Sequence, residues 1–269
     1  MWILAAGLVV LVGAAFWLTL TPPIGGDWAD DHAELPAVRF DGQRVTIQGY
    51  RNFTYRSADE YEARYETREL DLDQLESVWY VLVPFSTDWR GPAHSFLSFG
   101  FADSTYVSVS VEARRQRGEP YSMLGGLLHR FQVIYVVGAE RDLLGVRAVH
   151  REDDVYLYPI RATPEGARAL FVEMLRRADQ LREQPEFYNT LFNNCTTNIL
   201  AHVNRVSPKR IGYGPRIMLP GYSDRVAHEH GLIDTDLSLE AARERYRVSE
   251  RARAAWTDPA FSARIRETP

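Results

Sequence analysis

The sequence predicts an α+β protein, with an N-terminal transmembrane helix followed by a single folded domain. Three observations carry this expectation. An uncharged apolar run opens the chain, six short strand-like runs follow it, and helical periodicity sets in only after residue 160.

Trp2 to Leu20 is nineteen residues without a charge, about the length needed to cross a hydrocarbon core as a helix. A signal peptide would have a basic start, a shorter apolar run and a small-x-small cleavage site. Here only Met1 precedes the run and Thr-Leu-Thr-Pro-Pro-Ile-Gly-Gly-Asp leaves it. An uncleaved anchor is therefore expected over residues 1–21, with cleavage as the alternative. No Lys or Arg lies upstream, and Asp27, Asp30, Asp31 and Glu34 precede Arg39 on the other flank. That asymmetry predicts export of the body. A Pro/Gly/acidic linker is expected over residues 22–36, a single domain over 37–250 and a tail over 251–269.

Strands are expected at Arg44–Ile47, Val78–Pro84, Ser95–Phe101, Tyr106–Glu112, Phe131–Val137 and Val155–Ile160. Val107, Val109 and Val111 alternate with Ser108, Ser110 and Glu112, the period of a strand with one buried face. Thr163-Pro164-Glu165 reads as an N-cap, a first-turn proline and an early acid. The helix they begin carries Ala167, Leu170, Phe171, Met174, Leu175 and Leu181 largely on one face and stops at Pro185. A second helix is expected near Cys195, with Ile199, Leu200 and Val203 buried, and the tail from Leu237 reads as helical or frayed.

The chain has 269 residues, 31 Lys+Arg against 36 Asp+Glu, and a net charge of −5. Without a basic stripe, nucleic-acid binding is not expected. One cysteine excludes an internal disulfide and a Cys-rich zinc site. His228-Glu229-His230 has no helix or Cys partner to complete a metal site, and Gly125-Gly126 lacks the rest of a phosphate loop. No metal and no cofactor is expected.

Chemistry concentrates around Cys195, within Phe187-Tyr-Asn-Thr-Leu-Phe-Asn-Asn-Cys-Thr-Thr-Asn198. Asn and Thr before an apolar run are capping residues, which puts the thiol near a helix N-terminus. There free N–H groups and the helix dipole stabilise a thiolate, and the same N–H groups can bind an oxyanion. A nucleophilic Cys also needs a base and a group that orients it. Simple packing of a buried Cys is the competing interpretation. His94, at the entry to a strand, is the candidate base. His202 reads as structural or exposed, His129 and His150 as surface groups, and His32 as part of the linker. Glu112 either orients His94 or forms a surface pair with Arg114 or Arg115. Tyr135 and Glu140-Arg141-Asp142 read as a possible ion-pair network.

These residues carry a resemblance. Arg51-Asn-Phe-Thr-Tyr-Arg56, His94-Ser-Phe-Leu-Ser-Phe-Gly-Phe101, Ser110-Val-Glu-Ala-Arg114, Ile134-Tyr-Val-Val137 with Glu140-Arg-Asp142, Val155-Tyr-Leu-Tyr-Pro159 and Pro185 to Asn198 resemble the periplasmic domain of the Lnb-type apolipoprotein N-acyltransferases of some Gram-negative bacteria. The likeness spans roughly residues 50–235. It implies Cys195 as nucleophile, His94 as base and Glu112 as third member. It also singles out Arg114 as a site residue. Beside the resemblance, Asn193 or Asn194 is expected to join the helix N-terminal amides at an oxyanion, with Tyr188 as a further substrate contact. The order of His and Cys is similar to the permuted papain-like fold of the lecithin–retinol acyltransferases, so that fold is expected for the domain. The described lipoprotein acyltransferases carry a multi-span membrane region after this domain. The 269 residues here carry none, so a separate membrane subunit is an expected partner.

The function expected from the sequence is a cysteine acyltransferase, tethered to the inner membrane by one span and facing the periplasm. It would form a thioester on Cys195 and act on a lipid or lipoprotein, as in lipoprotein N-acylation. A cysteine hydrolase or amidase of lipid, peptide or cell-wall substrates is the first alternative, and a non-catalytic envelope module the second.

Overall fold

The strand-like runs assemble into one mixed sheet in the computed structural model, which describes residue 13 and residues 22–23, 25–86 and 91–267. The strands are β1 (Ala37–Asp41), β2 (Arg44–Arg51), β3 (Thr54–Tyr55), β4 (Tyr61–Glu62), β5 (Tyr65–Asp71), β6 (Leu75–Pro84), β7 (Ala93–Phe101), β8 (Tyr106–Arg114), β9 (Gln132–Ala139) and β10 (Tyr156–Pro159). The helices are α1 (Met123–Leu127), α2 (Pro164–Glu183), α3 (Cys195–Val206), α4 (Pro215–Met218), α5 (Ser223–Glu229), α6 (Leu239–Tyr246), α7 (Ser249–Ala254) and α8 (Phe261–Arg264). The sheet runs β1-β2-β9-β8-β7-β6-β10, with β5 also paired to β2, and β3 pairs with β4 apart from it. Its pairings are antiparallel except for the single parallel contact of Arg51 with Gly138. A Cβ on Gly138 would collide with the Arg51 carbonyl, so glycine is required for β2 and β9 to meet.

Helices cover both faces of this sheet. On one face α2 and α3 bury Leu170, Phe171, Met174, Leu175 and Ile199 against Leu97, Phe99, Val107, Val109, Val111 and Tyr135. On the other face a π-helix over Arg141–His150 and the C-terminal helices bury Leu143, Leu144, Ala252, Phe261 and Ile265 against Phe96, Ile134 and Val136. The expectation of one buried face for β8 is thereby corrected. Ser108 and Ser110 are as buried as the valines between them, because the π-helix and the tail form a second layer over them. The tail is helical and packed rather than frayed.

The boundaries of α2 follow its sequence closely. Thr163 Oγ1 accepts the Gly166 N–H at 3.1 Å, Pro164 opens the helix, and Glu183 is its last residue. Two features had no sequence signal: the π-helix, and the docking of residues 28–33 on the sheet edge. Trp28 bridges Gln116, and His32, placed by sequence in a linker, is 1% exposed. The membrane anchor expected over residues 1–21 lies outside the described residues apart from Gly13. Among the described residues no helix is long and apolar enough to cross a membrane.

Candidate active site

Helix α3 starts at the thiol because the residue before it is a cap. Asn194 Oδ1 accepts the Thr197 N–H at 2.9 Å, and Thr197 Oγ1 accepts the Asn194 N–H at 2.8 Å, a reciprocal capping box. Cys195 is therefore the first helical residue. Its own N–H and that of Thr196 have no acceptor among the described residues, as helix geometry dictates for a first turn. The thiol is 3% exposed. Sγ lies 3.8 Å from Thr196 Oγ1, which in turn is bonded to Ser95 Oγ at 2.9 Å.

A cavity of about 360 Å3 brings Cys195 together with His94, Glu112, Arg147, Tyr121 and Tyr188. The paired register between β7 and β8 ends at Phe96 and Ser110. His94 and Glu112 lie just past that point, near the rim of the sheet. Among the described residues His94 and Cys195 share this cavity without a hydrogen bond between them.

The hydrogen bonds around His94 fix its tautomer. Ser110 has one hydroxyl proton and donates it to Glu112 Oε1 at 2.9 Å. At the 2.7 Å contact with His94 Nε2, Ser110 Oγ must therefore accept. Nε2 carries the proton, and in the neutral ring Nδ1 holds the lone pair. Nδ1 has no protein partner among the described residues, and the side chain is 12% exposed in the cavity. That is the arrangement of a general base whose second nitrogen is clamped. Burial, reinforced by Arg147, pushes His94 down to about 3 from its ordinary 6.5, against an upward pull from Glu112.

Glu112 is the hub of the cluster. Besides Ser110 it accepts from Arg147 Nη2 at 3.0 Å, and its Oε2 faces His32 Nε2 at 3.4 Å. His32 Nδ1 accepts the Arg115 N–H at 3.1 Å, so Nε2 bears the proton that points at Glu112. Burial works against the carboxylate, but Arg147, His32 and His94 together hold it well below the usual carboxylate range. Glu112 thus sits beside His94 rather than in a surface pair: Arg115 pairs with Asp31 at 2.7 Å, and Arg114 is engaged elsewhere.

The remaining expected site residues divide. Tyr188 lines the cavity, with burial pushing its phenol well above the ordinary range and the neighbouring Cys195 adding to that shift. Arg114 donates to the His32 and Ala33 carbonyls at 3.0 and 2.9 Å and stacks over Trp28, holding the N-terminal arm in place. Asn194 is the cap, and its Nδ2 donates to the Thr190 carbonyl at 2.7 Å. Asn193 donates to the Phe187 carbonyl at 2.9 Å and accepts from Asn198 Nδ2 at 2.8 Å. Both carboxamides are occupied in shaping the turn before Cys195.

Three contributors were missed by sequence reasoning. Ser110 is two positions before Glu112 on one strand, which places both on one face, a signal that was available. Arg147 comes from the π-helix and His32 from the arm, and neither had a local signature. Other expectations also move. Tyr135 is not in the Glu140–Asp142 network; its hydroxyl bonds Asn198 and His202. His202 takes the structural of its two expected roles: it is buried and bonded to Tyr135. Asp142 instead holds Arg51 through two bonds of 3.0 and 2.9 Å and accepts the Phe53 N–H and the Tyr55 hydroxyl.

A second, apolar cavity of about 370 Å3 runs beside α3, lined by Thr196, Ile199, Leu200, Val203, Leu97 and Leu170 among others. Thr196 belongs to its wall, and its Oγ1 lies 3.8 Å from Sγ, while Cys195 itself lines the first cavity.

No match was found among curated proteins or among solved structures. The family model of the Lnb N-terminal periplasmic domain matches residues 61–215, more than half of the chain and a span that holds His94, Ser110, Glu112, Arg147 and Cys195. The chain therefore belongs to the Lnb N-terminal periplasmic domain family.

Proposed function

We propose that this protein is a membrane-tethered periplasmic cysteine acyltransferase that forms a thioester on Cys195. The observation that carries the proposal is the tautomer of His94: its Nδ1 lone pair has no partner among the described residues, and His94 lines the same cavity as a thiol at the first position of a helix. His94 Nδ1 takes the thiol proton as sulfur attacks the carbonyl carbon of a lipid ester. The Cys195 and Thr196 N–H groups bind the resulting oxyanion. The tetrahedral intermediate collapses by breaking the C–O bond, and the alkoxide leaves with the proton from His94. An amine then attacks the thioester, gives its proton to His94, and the C–S bond breaks to release an amide. The amine of a lipoprotein N-terminus is the acceptor suggested by the family.

The apolar cavity beside Thr196 supports an aliphatic donor. Apolar cavities of about 150 Å3 take one benzene, so 370 Å3 suits a chain on the order of a dozen carbons. A helix-borne Cys packed on a sheet whose strand carries the His also supports the permuted papain-like arrangement. The test is intact-mass analysis of the full chain incubated with phospholipid. A hydroxylamine-labile acyl adduct on Cys195, absent in Cys195→Ser and transferred to an added amine, is the expected result. Release of free fatty acid without amide would assign hydrolysis instead, and absence of any adduct would refute thiol chemistry.

A further inference from the structure

Large apolar side chains are left in solvent around one side of the thiol cavity. Leu124 and Phe192 are 65% and 66% exposed, and Met123, Leu128, Phe85, Tyr121 and Tyr213 are exposed as well. They form one patch. Thr190 Oγ1 donates to the Met123 carbonyl at 2.7 Å, which ties α1 to the loop carrying Phe192, and Phe192 stacks near Tyr213 at 6.2 Å. Phe85 and Tyr121 line the thiol cavity itself. Monomeric surfaces rarely leave such a group uncovered unless it meets a partner or a membrane.

The N-terminal segment identifies the occupant. Gln132 Nε2 donates to the Pro23 carbonyl at 2.5 Å. The neighbouring Phe131 ring packs on Tyr121 at 5.6 Å and against Gly125 of α1. Pro23 is thus held beside the patch. The uncharged run Trp2–Leu20 ends three residues earlier, and three residues reach at most about 10 Å. We infer that the α1 rim, with Phe192 and Tyr213, docks on the surface of the lipid bilayer into which that run inserts. The thiol cavity then opens against the headgroups. Exposed Lys209 and Arg210, just before Tyr213 in the chain, suit an anionic surface. The inference rests on the membrane tether of the proposed function, through insertion of residues 2–20, and only its second readout draws on the acyl-transfer step.

Single cysteines placed by Leu124→Cys, Leu128→Cys and Phe192→Cys in the full chain carrying Cys195→Ser would be nitroxide-labelled. The protein would then be reconstituted in vesicles of phosphatidylethanolamine and phosphatidylglycerol. Arg182→Cys, on α2, is the aqueous reference. The expected result is a several-fold higher ratio of oxygen to nickel-chelate collision at the three patch sites than at position 182. Equal, water-like ratios at all four sites would overturn the inference, as would failure of the chain to float with vesicles. Concentration-dependent dipolar broadening at the patch would overturn it in favour of a second copy. Protection from both relaxants would do so in favour of the chain's own N-terminal segment. As a second readout, the Leu124→Asp, Leu128→Asp double variant should lose about tenfold in transfer from vesicle lipid and none with a soluble ester. Loss with both donors would indicate a damaged site rather than lost docking.

Discussion

Replacing Ser110 with Ala is the sharpest perturbation of the catalytic assembly. The hydroxyl is fully buried and bridges His94 Nε2 at 2.7 Å to Glu112 Oε1 at 2.9 Å. Glu112 keeps Arg147 and His32, but Nε2–H loses its 2.7 Å acceptor and retains only Glu112 Oε1 at 3.6 Å. The preference for the productive tautomer is weakened, and an imidazolium formed during attack keeps only that longer contact with the carboxylate. A neutral hydrogen bond contributes about 1 kcal/mol and one to a charged group about 1.5–3 kcal/mol. The neutral bond is already made in the ground state, so the transition state loses only the difference, about 0.5–2 kcal/mol, or roughly 2–30-fold in rate at 1.36 kcal/mol per decade. Single-turnover acylation by a chromogenic thioester, with KM and Tm measured alongside, is the assay. The expected signature is a fall in kcat of up to about thirtyfold with KM nearly unchanged and a modest fall in Tm from the lost buried bonds. A rate equal to that of wild type would refute the relay.

Arg147→Met removes the guanidinium that favours ionised Glu112 and neutral His94. It should move the acid limb of the pH–rate profile upward and destabilise the protein by about 3 kcal/mol, as breaking a buried pair does. The pH dependence of stability has a defined sign. His94 is depressed to about 3 in the folded state from 6.5, so the unfolded chain binds more protons between those values and stability falls as pH drops below 6.5. Glu112 acts in the same direction at lower pH: its contribution is present above its ordinary 4.5 and lost as pH falls through its depressed folded value. Melting from pH 7.5 to 4 should therefore show a falling Tm, with a shallower fall in His94→Ala. Asn194→Ala deletes the cap, for which about 0.5–2 kcal/mol is typical. It should also slow acylation, because the first-turn N–H groups lose their alignment; an unchanged acylation rate would mean that the cap is structural only.

The sequence made the sheet and the helix start at Cys195 legible for local reasons. Strands such as β8 and the helix α2 announce themselves through periodicity, and Asn194 and Thr197 mark the start of α3 by capping chemistry confined to four residues. Contacts made by distant segments leave no such trace. His32 reaches Glu112 across 80 positions and Arg147 across 35, and each reads locally as an ordinary polar residue. The serines of β8 misled for a related reason. A small hydroxyl at alternate positions looks like a solvent face until a second layer, here the π-helix and the tail, covers it. Asn193, Asn194 and Arg114 show the converse. Their position in a recognisable motif suggests contact with substrate, while the hydrogen bonds they make are to groups that shape the turn before Cys195 and hold the arm.

The electrostatics of the cluster decide how the thiol is activated. Burial and Arg147 disfavour an imidazolium at His94, and Glu112 only partly offsets them. In the proposed mechanism a standing thiolate–imidazolium pair is therefore unfavourable at rest, and the proton would pass to Nδ1 as the sulfur attacks. The carboxylate would have to remain ionised for that moment, a state that the three donors converging on it from three separate segments favour. The positive charge on the ring would then be balanced by Glu112, through Ser110 and across the direct 3.6 Å contact. Alkylation of Cys195 by iodoacetamide discriminates the two modes. Reaction through a neutral pair should rise steadily with pH and be at least about tenfold slower at pH 5 than at pH 8. A plateau extending down to about pH 5 would mean a preformed ion pair. The relay would then serve to hold a charge already present on His94, and its role in timing the proton transfer would be refuted.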